Sequence, residues 1–189
     1  MNRISGSEPT ASTRPDGATA HLGQRAPADL IIVAVEPAQS DAVLFEACSL
    51  AADLGCELVC ANVDLGRYVV QENPDGSVVS APFDPDVAAL SEEKFDPRLA
   101  EHLDAVLMAR GIRYSLRALA GDPARALTHL ADTLNARLIV VGTHRPGFKR
   151  GVKDFFNGSV AVHLAHRQHR PVVVVPLAPV TDGGRLPWE

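Results

Sequence analysis

Apolar positions along this chain follow two alternating periods. Short continuous runs of branched aliphatics recur, and between them apolar residues return every three or four positions. "LIIVAV" (30–35) is such a run, as a strand buried on both faces requires. Ser40 or Asp41 offers an N-cap, and Val43, Ala47, Ala51 and Leu54 then share one helical face that Gly55 ends. "ELVCANV" (57–63) is a second strand. Asp96-Pro97 opens another helix, with Asp as cap and Pro at the first helical position. Its apolar face is Leu99, Leu103, Val106 and Leu107, and Gly111 closes it. "IRYSLRAL" (112–119) is a third strand. Asp122-Pro123 repeats the helix start ahead of Leu127, Leu130, Ala131 and Leu134, with Asn135 as the stop. "RLIVVG" (137–142) is the fourth strand, "SVAVHLAHRQH" a helix, and "PVVVVP" (171–176) the fifth strand.

The connection at 64–85 departs from this rhythm. "RYVVQ" and "SVVSA" flank "ENPDG", and Asn-Pro-Asp-Gly is strong turn chemistry. This predicts a hairpin-like insertion after the second strand, placed either to cover a ligand or to extend an interface. Residues 86–95 read as a separate helical piece. Apart from the insertion, strand and helix alternate. Alternation of this kind predicts an α/β fold, an open doubly wound five-stranded parallel sheet of Rossmann-like type with right-handed crossovers. Ligands of such sheets sit beyond the carboxyl ends of the strands, where the strand order reverses. The segments after the first and fourth strands are therefore the places to search.

Composition narrows the chemistry. Eighteen Lys and Arg stand against 23 Asp and Glu, a formal charge of −5, which argues against general nucleic-acid binding. The three cysteines, Cys48, Cys56 and Cys60, form no C-x-x-C pair, so a reduced compartment is the simpler reading than disulfide or zinc. No signal-peptide core or membrane-length apolar run occurs, and the expected location is the cytoplasm, away from membranes. Residues 1–28 are rich in Gly, Pro, Ser, Thr and Ala and read as a disordered tail, residues 29–177 as one domain, and residues 178–189 as a second tail in which Trp188 is the one large anchor.

One loop concentrates the remaining signal. "VGTHRPGFKRGVKDFFNGSV" (141–160) holds four glycines and the cations Arg145, Lys149, Arg150 and Lys153. It leaves the fourth strand and enters a helix at Gly158-Ser159. The first amides of a helix lack internal partners and the dipole there favours anions, so the Gly158 backbone, the Ser159 hydroxyl and the amides of Ser159 and Val160 form a candidate phosphate site. One helix end contributes too little for micromolar affinity alone, and further loop amides and a base pocket would have to act with it.

These residues carry a resemblance. "IIVAVEP", "AGDPARALTHLA", "RLIVVGTH" and "NGSVAVHLAHRQHRPVVVVP" resemble the universal stress protein family in its single-domain, UspA-type form, over roughly 30–177. The resemblance implies the strand order 3-2-1-4-5 and homodimers paired through the last strand, here Val172–Val175. It also implies an ATP-binding regulatory protein of the stress response, taking ATP with or without Mg. The corresponding site residues are Glu36, where the family has Asp, Val63 through its main chain, Gly142, Thr143, His144, Arg145, Gly147, Gly158, Ser159 and Val160. The family's G-x2-G-x9-G-[S/T] pattern places twelve residues between its outer glycines, and this chain has fifteen between Gly142 and Gly158. Gly147 is the nearest counterpart of the middle glycine.

Two alternatives accompany that reading. One is a member that binds no nucleotide and acts as a protein-interaction module toward unknown partners. The other is a slow ATP hydrolase with His144 as the candidate base. No G-x-S-x-G elbow, H-E-x-x-H pair or G-x4-G-K-[S/T] loop is present, so no catalytic residue is assigned. His163, His166 and His169 fan over about 120° of a helix rather than converging, and no metal site is assigned. Phe155 and Phe156 read as anchors of the loop.

Overall fold

The structure, a computed structural model, describes residues 30–84, 91–92, 94–143 and 160–177. In chain order the elements are β1 (Leu30–Ala34), α1 (Ala42–Leu54), β2 (Glu57–Asp64), β3 (Arg67–Glu72), β4 (Val78–Pro82), β5 (Ser91–Glu92), α2 (Pro97–Ala109), β6 (Tyr114–Ala120), α3 (Pro123–Thr133), β7 (Leu138–Gly142), α4 (Val160–Arg167) and β8 (Val172–Val175). The main sheet is parallel, with order β6-β2-β1-β7-β8. Counting only its five strands in chain order, this is the expected 3-2-1-4-5. The reversal point lies between β1, which continues leftward to β2, and β7, which continues rightward to β8.

Both faces of the sheet are dry. On one face α1 and α2 cover Ile31, Val33, Leu58, Cys60 and Val140. On the other α3 and α4 cover Ile32, Val59, Ala61, Ile139 and Val141. The alternation of these residues along β1 and β7 explains why the strands read as unbroken apolar runs. The two Asp-Pro helix starts form as the sequence requires: Asp96 accepts from the Leu99 amide and Asp122 from the Arg125 amide, each at 2.8 Å. α1 differs. Asp41 stands at its N-cap but makes no side-chain cap bond, and Ser40 Oγ accepts from the Ala42 amide only at 3.4 Å.

The insertion forms a second, antiparallel sheet of order β3-β4-β5. Asn73-Pro74-Asp75-Gly76 makes the expected turn, with the Gly76 amide donating to Asn73 O at 3.0 Å and the Ser77 amide to Asp75 Oδ1 at 3.0 Å. Gly76 has φ 80° and sits on α3, where an added Cβ would lie 2.5 Å from Leu130 Cδ1. A contact of His129 Nε2 with Glu72 Oε2 at 2.7 Å and a bond from Arg117 Nε to Asp75 O at 3.1 Å fix the insertion to α3 and β6. Val78 is buried with the α3 side of the core. The helical reading of 86–95 is corrected at Ser91–Glu92, which pairs with Ser80 and Val79 of β4. Unsatisfied backbone groups along the edge of β4 favour a strand there over the weak helical propensity of a two-residue segment.

Candidate functional site at the end of the first strand

The loop after β1 is held rigidly. Val35 donates its amide to Ala61 O at 2.9 Å and accepts from Asn62 Nδ2 at 2.8 Å. Glu36-Pro37-Ala38-Gln39 then makes a tight turn, with the Gln39 amide donating to Glu36 O at 3.2 Å. The Gln39 side-chain carbonyl accepts from the Glu36 amide at 3.1 Å. Pro37 pre-sets the turn, and Ala38 takes φ 60°, a left-handed conformation that costs a residue with a Cβ about 1–2 kcal/mol. The turn therefore holds strain beside the carboxyl end of β1.

This loop and the first two turns of α2 enclose an open cleft of about 650 Å³, a volume in the range of small-molecule sites. Its floor is Val35, Leu44, Leu99 and Leu103; its rim carries Glu36, Gln39, Ser40, Asp41, Asp96, Arg98 and His102. Asp41 and His102 meet across the cleft, with Oδ1 and Nε2 2.7 Å apart. An apolar floor under a rim of carboxylates, an amide, a hydroxyl, a guanidinium and an imidazole suits a flat ring with polar edges and attached hydroxyls. Two buried thiols pack in the same core: burial, reinforced by Cys48, pushes Cys60 up to about 12, and burial also raises Cys48 against the opposing pull of Arg110, which disfavours the thiolate in both.

The second half of the reversal point is the end of β7. Thr143 donates its amide to Val175 O at 2.9 Å, and its hydroxyl accepts from the Leu177 amide at 2.8 Å, binding β8's exit to β7. A Cβ on Gly142 would stand 2.9 Å from Leu177 Cδ1 and Val43 Cγ2 and 3.1 Å from Gln39 Nε2. Gly142 thus leaves room for three side chains, one of which, Gln39, also lines the cleft.

Of the residues expected from sequence, Glu36 is an exposed rim residue of the cleft. Gly142 adjoins it through Gln39, while Thr143 bonds to Val175 and Leu177, which do not line it. Val63 lies in β2 beside Leu119, and its side chain packs with the α3 face of the core rather than in the cleft. Val160 begins α4. His144, Arg145, Gly147, Gly158 and Ser159 lie outside the described residues. The described residues of the insertion line no part of this cleft. The wall supplied by α2 was not anticipated: Asp41 and His102 are 61 positions apart, and only the i, i+4 spacing of Arg98 and His102 beside the Leu99–Leu103 stripe hinted at it. Among the described residues no group of three His, Cys, Asp or Glu side chains is placed to hold a metal, and no helix is long and apolar enough to cross a membrane.

Comparison with known proteins adds identity to this geometry. The universal stress protein family profile matches residues 28–176. No curated protein matches the chain. Among solved structures, a universal stress protein family member from Burkholderia pseudomallei is 23% identical, over 79% of this chain and 96% of its own, with a TM-score of 0.49. A universal stress protein in complex with cAMP is 22% identical, over 79% of this chain and 98% of its own, with a TM-score of 0.51. The hypothetical protein MJ0577 is 16% identical, over 81% of this chain and 99% of its own, also with a TM-score of 0.51. The last two share the fold described above. With the five-stranded order in place and the family profile running from just before β1 to just beyond β8, the chain belongs to the universal stress protein family.

Proposed function

We propose that this chain is an adenine-nucleotide-binding regulatory protein of the stress response, acting in the cytoplasm as a homodimer. The observation that carries the reading is the cleft of about 650 Å³ at the carboxyl end of β1, adjoining Gly142 at the end of β7, which is where open doubly wound sheets take ligands. A relative of the same fold has been solved with cAMP, which supports an adenine nucleotide as the ligand class. In this reading the base and ribose enter the cleft against Glu36. Gly158, Ser159 and Val160 receive the phosphates, ATP among them with or without Mg, and Arg145, Lys149, Arg150 or Lys153 add charge pairing. Mass spectrometry of small molecules released by heating the purified protein tests it: a copurified adenine nucleotide is expected. The double variant Ser159→Ala, Gly158→Val should lose at least about tenfold in affinity, because hydrogen bonds to a charged group each contribute roughly 1.5–3 kcal/mol. An unchanged affinity contradicts the assignment of the phosphates.

The dimer is proposed through β8. It is an edge of the main sheet, with Val174 43% exposed, whereas the other edge strand, β6, is tied to the insertion by Arg117 Nε and Asp75 O. A second reading, a protein-interaction module without nucleotide, draws on the exposed pair Tyr68 and Phe83, whose rings lie 5.4 Å apart on the insertion. Absence of both copurified and added nucleotide would favour it.

A further inference from the structure

The nucleotide reading gives no task to one pair in the cleft. His102 Nε2 lies 2.7 Å from Asp41 Oδ1, and both side chains line the cavity. Asp41 stands at the N-cap of α1 yet makes no cap bond; its carboxylate is turned to His102 instead. The pair is half exposed, so it adds little to stability. What it does fix is a tautomer. A carboxylate only accepts, so the proton sits on Nε2, and the neutral ring presents Nδ1 as an acceptor. Among the described residues Nδ1 has no protein partner. The apolar floor of Val35, Leu44, Leu99 and Leu103 offers a surface for a planar ring beside it.

We infer that His102 reads the base: Nδ1 accepts a hydrogen bond from an exocyclic amine, so the cleft takes a 6-aminopurine in preference to a 6-oxopurine, with Asp41 as the positioning residue. This rests on the nucleotide reading above. A 6-oxo group is itself an acceptor and would face Nδ1 lone pair to lone pair, leaving both unsatisfied. The other charged groups of the cleft do not supply the discrimination. Asp96 is engaged with the Leu99 amide, Arg98 carries only donors, and Glu36 is an exposed residue of the loop after β1.

Calorimetric titration of the full chain with AMP and with IMP tests this. AMP should bind about tenfold or more tighter than IMP. His102→Phe keeps a ring over the floor but has no acceptor. It should bind IMP within about twofold of the unaltered protein and lose the preference for AMP. Asp41→Ala leaves the imidazole in place but frees its ring, and should narrow the preference. AMP and IMP binding equally to the unaltered protein, or a preference that persists in either variant, overturns the inference and leaves nucleotide binding standing. Binding of neither nucleotide overturns both.

Discussion

Gly142 has no side chain because Leu177, Val43 and Gln39 occupy the space one would need. Resemblance assigned this glycine to the nucleotide site, and packing gives it a second role, because an added Cβ would force its neighbours to shift. Val43 is β-branched and stiff, so an alanine at 142 cannot be absorbed by a simple rotamer change. Gly142→Ala should therefore cost about 1–3 kcal/mol in denaturant unfolding without any nucleotide present. Unchanged stability would mean that the neighbours yield freely. Cys60 makes a second residue-scale case. Its thiol is pushed from 9.0 to about 12 chiefly by burial, so the folded protein holds that proton more tightly than the unfolded chain does. The resulting stability is fully present below pH 9 and is lost as pH rises toward 12. At neutral pH a thiol reagent should label the half-buried Cys56 while Cys48 and Cys60 resist until the chain unfolds. Rapid labelling of all three would contradict this burial.

At the scale of elements, the punctuation of the chain was largely legible. Asp-Pro starts, the Asn-Pro-Asp-Gly turn and the stops at Gly55, Gly111 and Asn135 each encode local backbone geometry in adjacent residues, and each forms where expected. What the sequence hid depends on distant pairing. β5 is two residues long and exists because β4 has an edge to offer. The α2 wall of the cleft depends on how α1 and α2 lie over the sheet, and no local signal specifies that a histidine at 102 will face an aspartate at 41. The segment 144–159, where the phosphates are proposed to bind, lies outside the described residues, and the sequence has fifteen residues between Gly142 and Gly158 where the family pattern has twelve. The insertion is anchored rather than appended: its turn rests on Leu130 at a glycine of φ 80°. Gly76→Ala adds both a strained φ and a collision, so it should lower stability by about 1–3 kcal/mol and shift the amide resonances of α3. An α3 left unperturbed would show that the turn does not rest there.

For the whole molecule, the two edges of the main sheet have different fates. The insertion is tied to β6 through Arg117, while Val174 of the β8 edge strand is exposed, so the proposed dimer is placed on the β8 side. Val174→Lys places a charge on that edge and should convert a dimer to a monomer by sedimentation equilibrium; a dimer that survives would place the interface elsewhere. The central claim, however, concerns the ligand. The strand reversal, the strained turn of 36–39 and the cleft between α1 and α2 are arranged around the end of β1, where an adenine nucleotide is proposed to bind. Calorimetric titration of the purified chain with ATP, after removal of any copurified nucleotide, measures this most directly. The account predicts saturable binding of one nucleotide per chain; no heat of binding up to millimolar ATP would contradict it.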